Sequence, residues 1–178
     1  MKNIFKYLAV AALGIALAGF VACEPEPEPE PTPTPTPEPE PEPEQYTESS
    51  TLTIKYDGNA VAAGDTAVYN NNNSVIPMMV FEVVNKTHTS FDAYFKVEML
   101  EGPESMSSMG FCTDVCNNFI CPFVAPRPNR PFTIPANGSN TFDLQFMGGE
   151  GSRALYKMTA GKGEDLQDPQ IIFLRVNI

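Results

Sequence analysis

The sequence predicts an all-β fold, a two-sheet antiparallel sandwich of about seven to nine short strands over residues 46–178. Three observations carry this. Short runs alternate polar and apolar residues with period two, the mark of strands buried on one face. Clusters of Gly, Asn, Asp and Pro separate the runs at short intervals. No segment shows the 3.6-residue periodicity of an amphipathic helix.

The elements follow in order. Thr51-Leu52-Thr53-Ile54-Lys55-Tyr56 alternates cleanly and ends at the turn Asp57-Gly58-Asn59. Gly64-Asp65 marks another turn before Thr66-Ala67-Val68-Tyr69, and the asparagines at 70–73 read as a loop. Val75 to Asn85 is apolar and β-branched, with Pro77 near its start, where a strand tolerates proline. Lys86 to Ser90 is polar and turn-like. Phe91 to Leu100 then places Phe91, Ala93, Phe95, Val97 and Met99 on one face. The two runs read as a hairpin.

A cysteine-bearing loop comes next, then Phe132-Thr133-Ile134 and the alternating Thr141 to Phe146. Gly148 to Gly151 reads as a hairpin turn. Arg153 to Thr159 and Gln170 to Ile178 form a last hairpin across the loop Ala160 to Pro169. Strands of this number and spacing point to a sandwich of immunoglobulin type. The chain has no tryptophan, so the core Trp of antibody domains is absent.

Several segments together resemble a known family. They are Val83-Val84-Asn85, the strand after it, the short cysteine loop, Ile134-Pro135-Ala136-Asn137-Gly138-Ser139 and Phe142-x-Leu144-x-Phe146. Their order is similar to the Ig-like domain of many Bacteroidota cell-envelope lipoproteins, over roughly Leu52 to Ile178. The resemblance implies a β-sandwich adhesion or accessory module and brings no catalytic residues with it.

The first 22 residues read as a secretory signal: Lys2 and Lys6, an apolar run from Leu8 to Ala22, and small residues before a cut site. Phe20-Val21-Ala22-Cys23 resembles a bacterial lipobox, with Phe20 where the family prefers Leu. The resemblance implies that Cys23 receives a diacylglycerol and that its freed amine is then acylated. The competing reading is an uncleaved helical anchor, since the run is near the shortest that spans a bilayer. Each buried acyl methylene contributes about 0.8 kcal/mol, so several chains together hold a protein firmly.

Residues 23–45 read as the lipid anchor followed by a disordered stalk. Glu24 to Glu44 holds ten prolines and eight glutamates in 21 residues. Alternating proline removes amide donors and fixes φ, which leaves polyproline II, roughly 65 Å long if fully extended. A stalk is one reading and a ligand for a proline-binding module is the other. The tract takes eight of the 22 acidic residues, so the domain after it carries 14 acidic and nine basic residues. No basic cluster suits a phosphate backbone, so nucleic acid is not an expected partner.

With Cys23 lipidated, Cys112, Cys116 and Cys121 remain, an odd number that permits one intrachain bridge and leaves one thiol. The residues allow any of the three pairs. The family resemblance implies Cys116–Cys121. Met106 and Met109 precede them, and the set Met106, Met109, Cys112, Cys116 and Cys121 would suit copper(I) through soft sulfur ligands. The methionines serve equally as core packing. No motif demands a cofactor otherwise.

Other chemistry is sparse. His88, the lone histidine, sits in a Thr-His-Thr turn without a triad pattern. Glu82, Asp92, Glu98 and Asp143 fall at strand positions that normally face solvent. Asp65-Thr66-Ala67 resembles an O-glycosylation sequon of Bacteroides-like bacteria, which implies a glycan on Thr66. Phe119 and Phe123 form either an exposed binding patch or a plug closing one end of the sandwich.

The expected protein is therefore a non-enzymatic, lipid-anchored envelope protein, held at the outer membrane and open to the cell surface. It presents an Ig-like module to an unidentified protein or glycan. The alternative is an envelope copper or thiol-redox accessory protein working through residues 106–121.

Overall fold

A computed structural model describes residues 44–71 and 75–178. The leader (1–22), Cys23 and the stalk as far as residue 43 lie outside the described residues, as do Asn72, Asn73 and Ser74 of the asparagine loop. Twelve strands follow one another: β1 (Leu52–Tyr56), β2 (Asn59–Ala60), β3 (Thr66–Asn70), β4 (Met78–Asn85), β5 (Phe91–Glu101), β6 (Ser108–Cys112), β7 (Cys116–Ile120), β8 (Phe123–Ala125), β9 (Phe132–Ile134), β10 (Ser139–Phe146), β11 (Arg153–Lys162) and β12 (Gln167–Asn177). A single 3-10 turn, Glu104–Met106, is the one helical element among the described residues.

They form two sheets, as the alternation predicts. The first runs β2-β1-β4-β10-β6-β7; the second runs β3-β12-β11-β5-β8, with β9 also pairing with β5. The β1–β2 hairpin turns through Asp57 and Gly58, both at positive φ (51° and 76°), as a tight two-residue turn requires. One pairing departs from the antiparallel expectation: β3 lies parallel to β12 at the sheet edge.

Three readings of connectivity are corrected. Val75–Asn85 and Phe91–Leu100 are not a hairpin, because β4 sits in the first sheet and β5 in the second. Alternation identifies the buried face of a strand but not its neighbour, and two strands facing each other across the core alternate just as paired ones do. The corner between them is held by Asn85, 2% exposed. Its amide donates to the carbonyls of Thr89 (2.8 Å) and Pro135 (3.0 Å), and its oxygen accepts the Thr87 amide and hydroxyl, both at 2.7 Å.

Gly148–Gly151 is likewise a crossing from β10 to β11 and not a hairpin turn. The cysteine-bearing loop is the third correction, since it holds β6, β7 and β8. The last hairpin stands and is longer than expected. Gly161 lets its strands close, because a Cβ there would lie 2.6 Å from the Leu166 backbone.

The core centres on Phe142. Its ring lies 4.4–5.7 Å from those of Phe81, Phe95, Phe111 and Phe132. Leu52, Ile54, Met79, Val83 and Leu144 fill the first sheet's inner face; Ala93, Val97, Met158, Ile172 and Leu174 fill the second's. Burying an aliphatic or aromatic side chain of this size contributes about 1.5–3 kcal/mol.

Candidate functional site

The sulfur-rich segment folds as strand, not as a ligand loop. Cys112 and Cys116 face each other at the top of the β6–β7 hairpin and form a disulfide. This replaces the Cys116–Cys121 bridge that the family resemblance implied. Cys121 is a half-buried free thiol, and burial pushes its pKa up to about 11, so it is protonated and weakly nucleophilic near neutrality.

Met106 and Met109 are fully buried in the core. Met109 stands three positions before Cys112 on one strand, so their side chains leave opposite faces of the sheet. A spacing that suits metal on a loop comes apart on a strand. With the Cys112 and Cys116 sulfurs bonded to each other, the five sulfurs are not gathered as a ligand set.

The remaining candidates are spread apart. Phe123 is 8% exposed, and Phe119 stacks on it at 4.8 Å beneath the Arg127 guanidinium. Phe119 is partly buried and packs against the core. Thr66 is exposed at the start of β3, an edge strand. His88 is exposed in the β4–β5 corner. Glu82 and Asp143 lie on the first sheet, Asp92 and Glu98 on the second. Glu82 pairs with Lys55 (3.2 Å) and Glu98 with Lys96 (2.9 Å). A hydrogen bond from Ser139, then Lys55, holds Glu82 below the usual carboxylate range, whereas burial raises Asp143.

Two polar constellations were not visible in the sequence. The first is the segment leading into β1, residues 48–51, called the root of β1 below. One oxygen of Asp168 accepts the Ser50 amide (2.9 Å) and hydroxyl (2.8 Å), the Thr51 amide (2.8 Å) and the Ser49 hydroxyl (3.1 Å). Gln170, fully buried, accepts the Ser49 amide (2.9 Å) and donates to Glu48 (2.9 Å) and the Val61 carbonyl (3.2 Å). Lys86 donates to the Ser49 carbonyl. Hydrogen bonds led by Ser50 depress the Asp168 pKa; those from the Ala63 amide and Gln170 depress that of Glu48.

The second is a cleft of about 420 Å³ between the β6–β7 tip and the loop Pro126–Pro131. The disulfide ties the tip at its base. Across from it, Pro126, Pro128 and Pro131 limit the backbone, and the Arg130 amide donates to the Arg127 carbonyl (2.9 Å). Phe111 and Phe132, each 2% exposed, form a floor that offers almost no apolar surface.

The rim is mixed: Thr113, Asp114, Asn117, Arg130 and Asn140 are polar, while Val115, exposed, and Pro126 and Pro131 add apolar surface. Asn140 is engaged, donating to the Thr133 carbonyl (3.1 Å). The side chains of Thr113, Asp114, Asn117 and Arg130 have no hydrogen-bond or ion-pair partner among the described residues. A second hollow, about 480 Å³, lies at the other end of the first sheet over Met78 and Val80, and its walls include Tyr56, Val68 and Tyr69.

No protein-family model matches the chain, and no curated protein matches it. Several solved structures are similar. The N-terminal domain of PorA matches over 71% of this chain and 96% of its own, at 12% identity and a TM-score of 0.47. A conjugative transposon lipoprotein from Bacteroides eggerthii matches over 73% and 100%, at 10% and 0.38. A PapD-like domain of human CEP192 matches over 84% and 96%, at 10% and 0.38. Identities and TM-scores this low leave the chemistry to be read from this chain's own residues.

Proposed function

We propose that this protein is a non-enzymatic binding module of the bacterial cell envelope. In this reading Cys23 carries the lipid anchor, the proline–glutamate tract spaces the domain from the outer membrane, and the β-sandwich holds a ligand at its end cleft. The observation that supports it is the rim. Four polar side chains without partners stand on a frame stiffened by a disulfide and three prolines, which lowers the ordering cost of binding. Unpartnered polar groups beside the shallow apolar surface of Val115 and the prolines, over a closed aromatic floor, suit a hydroxyl-rich ligand such as a sugar, which places glycans ahead of proteins as partners.

A glycan array probed with the full chain tests the binding role. Retention on at least one glycan, lost in the Asn117→Ala/Thr113→Ala double variant, is the expected result; equal retention by the variant would move the site elsewhere. Labelled palmitate entering the wild-type chain and not Cys23→Ser checks the anchor. Digestion of the domain by protease added to intact cells checks surface exposure; full protection would place it on the inner side.

A further inference from the structure

The rim of the end cleft is amphoteric, and this narrows the ligand. Arg130 brings a planar guanidinium whose donors match a carboxylate two at a time. Asp114, on the facing wall, is an acceptor suited to sugar hydroxyls. The two do not pair with each other. Thr113 and Asn117 add groups that both donate and accept. A ligand satisfying this rim carries a carboxylate together with several hydroxyls.

We infer that the end cleft binds a carboxylated sugar of the uronic-acid class, with Arg130 on the carboxylate and Asp114, Thr113 and Asn117 on the hydroxyls. The inference rests on the cleft being the binding site proposed above. Charge supports the assignment. The domain has 14 acidic and nine basic residues, yet Arg127 and Arg130 stand three positions apart in this one loop. The Arg127 guanidinium is occupied over Phe119, 5.7 Å from the ring centroid, which leaves Arg130 as the cation facing the cleft. An acidic peptide is the competing ligand. Val115 and the prolines give such a peptide some apolar surface, but with Phe111 and Phe132 closed over there is no deep apolar pocket, and Asp114 would face its carboxylates.

The test is an NMR titration of the full chain in detergent micelles with three probes: trigalacturonate, neutral galactotriose and hexaglutamate. Trigalacturonate is expected to shift the amide signals of Thr113 to Asn117 and of Arg130, and to bind at least tenfold more tightly than galactotriose. Arg130→Gln should lower trigalacturonate affinity at least tenfold and galactotriose affinity far less, and Arg130→Lys should fall between. An unchanged thermal midpoint confirms that both variants fold. Equal binding of the two sugars, or no effect of Arg130→Gln, overturns the carboxylate assignment while the cleft stays a sugar site. Hexaglutamate binding as tightly as trigalacturonate assigns the rim to acidic peptide instead. No shift of these signals by any probe overturns both this inference and the reading it rests on.

Discussion

The root of β1 and the end cleft lie at the same end of the first sheet and treat polar groups in opposite ways. Leu52 stands opposite Asn85, and Asn140 opposite Val83, so the two regions share a level, with β1 and β6 three strand spacings apart. That separation is roughly 14 Å. At the root, a single Asp168 oxygen takes four donors, and all three heteroatom contacts of Gln170 are made. At the cleft, the side chains of Thr113, Asp114, Asn117 and Arg130 have no hydrogen-bond or ion-pair partner among the described residues. Saturated polar groups stabilise the fold; unpartnered ones on a stiff frame are free to serve a ligand. The contrast separates residues that hold the protein together from those that the proposed reading offers to a ligand.

The sharpest way to break this comparison is at Gln170. Gln170→Ala leaves the Ser49 amide and the Val61 carbonyl short of a buried partner and should cost about 2–4 kcal/mol, read by urea denaturation. A loss below 0.5 kcal/mol would show that the root is ornamental. Next is the disulfide. Cys112→Ser/Cys116→Ser opens a very short loop, so the stability loss should not exceed about 2 kcal/mol, while affinity at the cleft falls. Undiminished affinity would mean that the frame does not order the rim.

Asp168→Asn keeps the shape of the side chain and removes its charge. Its site is exposed, so solvent screening limits the loss to about 1 kcal/mol. The same carboxylate sets a pH dependence. Asp168 and Glu48 have folded pKa values below their unfolded ones, so their stabilisation is complete above about pH 4–4.5. It disappears as pH falls through the folded values. Acid unfolding followed by circular dichroism should be less steep in Asp168→Asn; identical profiles would remove Asp168 from the linkage. The smallest effect belongs to the cleft. Asn117→Ala should change stability by less than about 0.5 kcal/mol and still reduce glycan retention.

How much of this the residues announced differs between the two regions and the frame. The strands of the core were legible because period-two alternation survives in Leu52–Tyr56, Phe91–Leu100 and Thr141–Phe146. β6 to β8 were not, because Gly110, Asn117-Asn118 and Pro122 interrupt the pattern with residues that usually mark loops. The root was invisible because Asp168 and Gln170 meet Ser49 across 119 and 121 positions, and no local spacing signals that. The cleft left one trace, the Pro-Arg-Pro-Asn-Arg-Pro run from 126 to 131, two cations in a proline-stiffened loop of an acidic chain. Its partner wall depended on the hairpin at Cys112–Cys116, which reads as loop until the pairing is known.

Asp168 and Gln170 belong to β12 of the second sheet, while Lys86 follows β4 of the first, and all three grip residues 48–51. The incoming chain is thereby stitched to both layers before it becomes β1. Tension on residue 46 cannot unzip β1 from β4 rung by rung. It meets a knot first, whose contacts must shear together, and the pull is shared between the two sheets. A domain suspended in moving fluid would hang from this seam and not from its outermost strand.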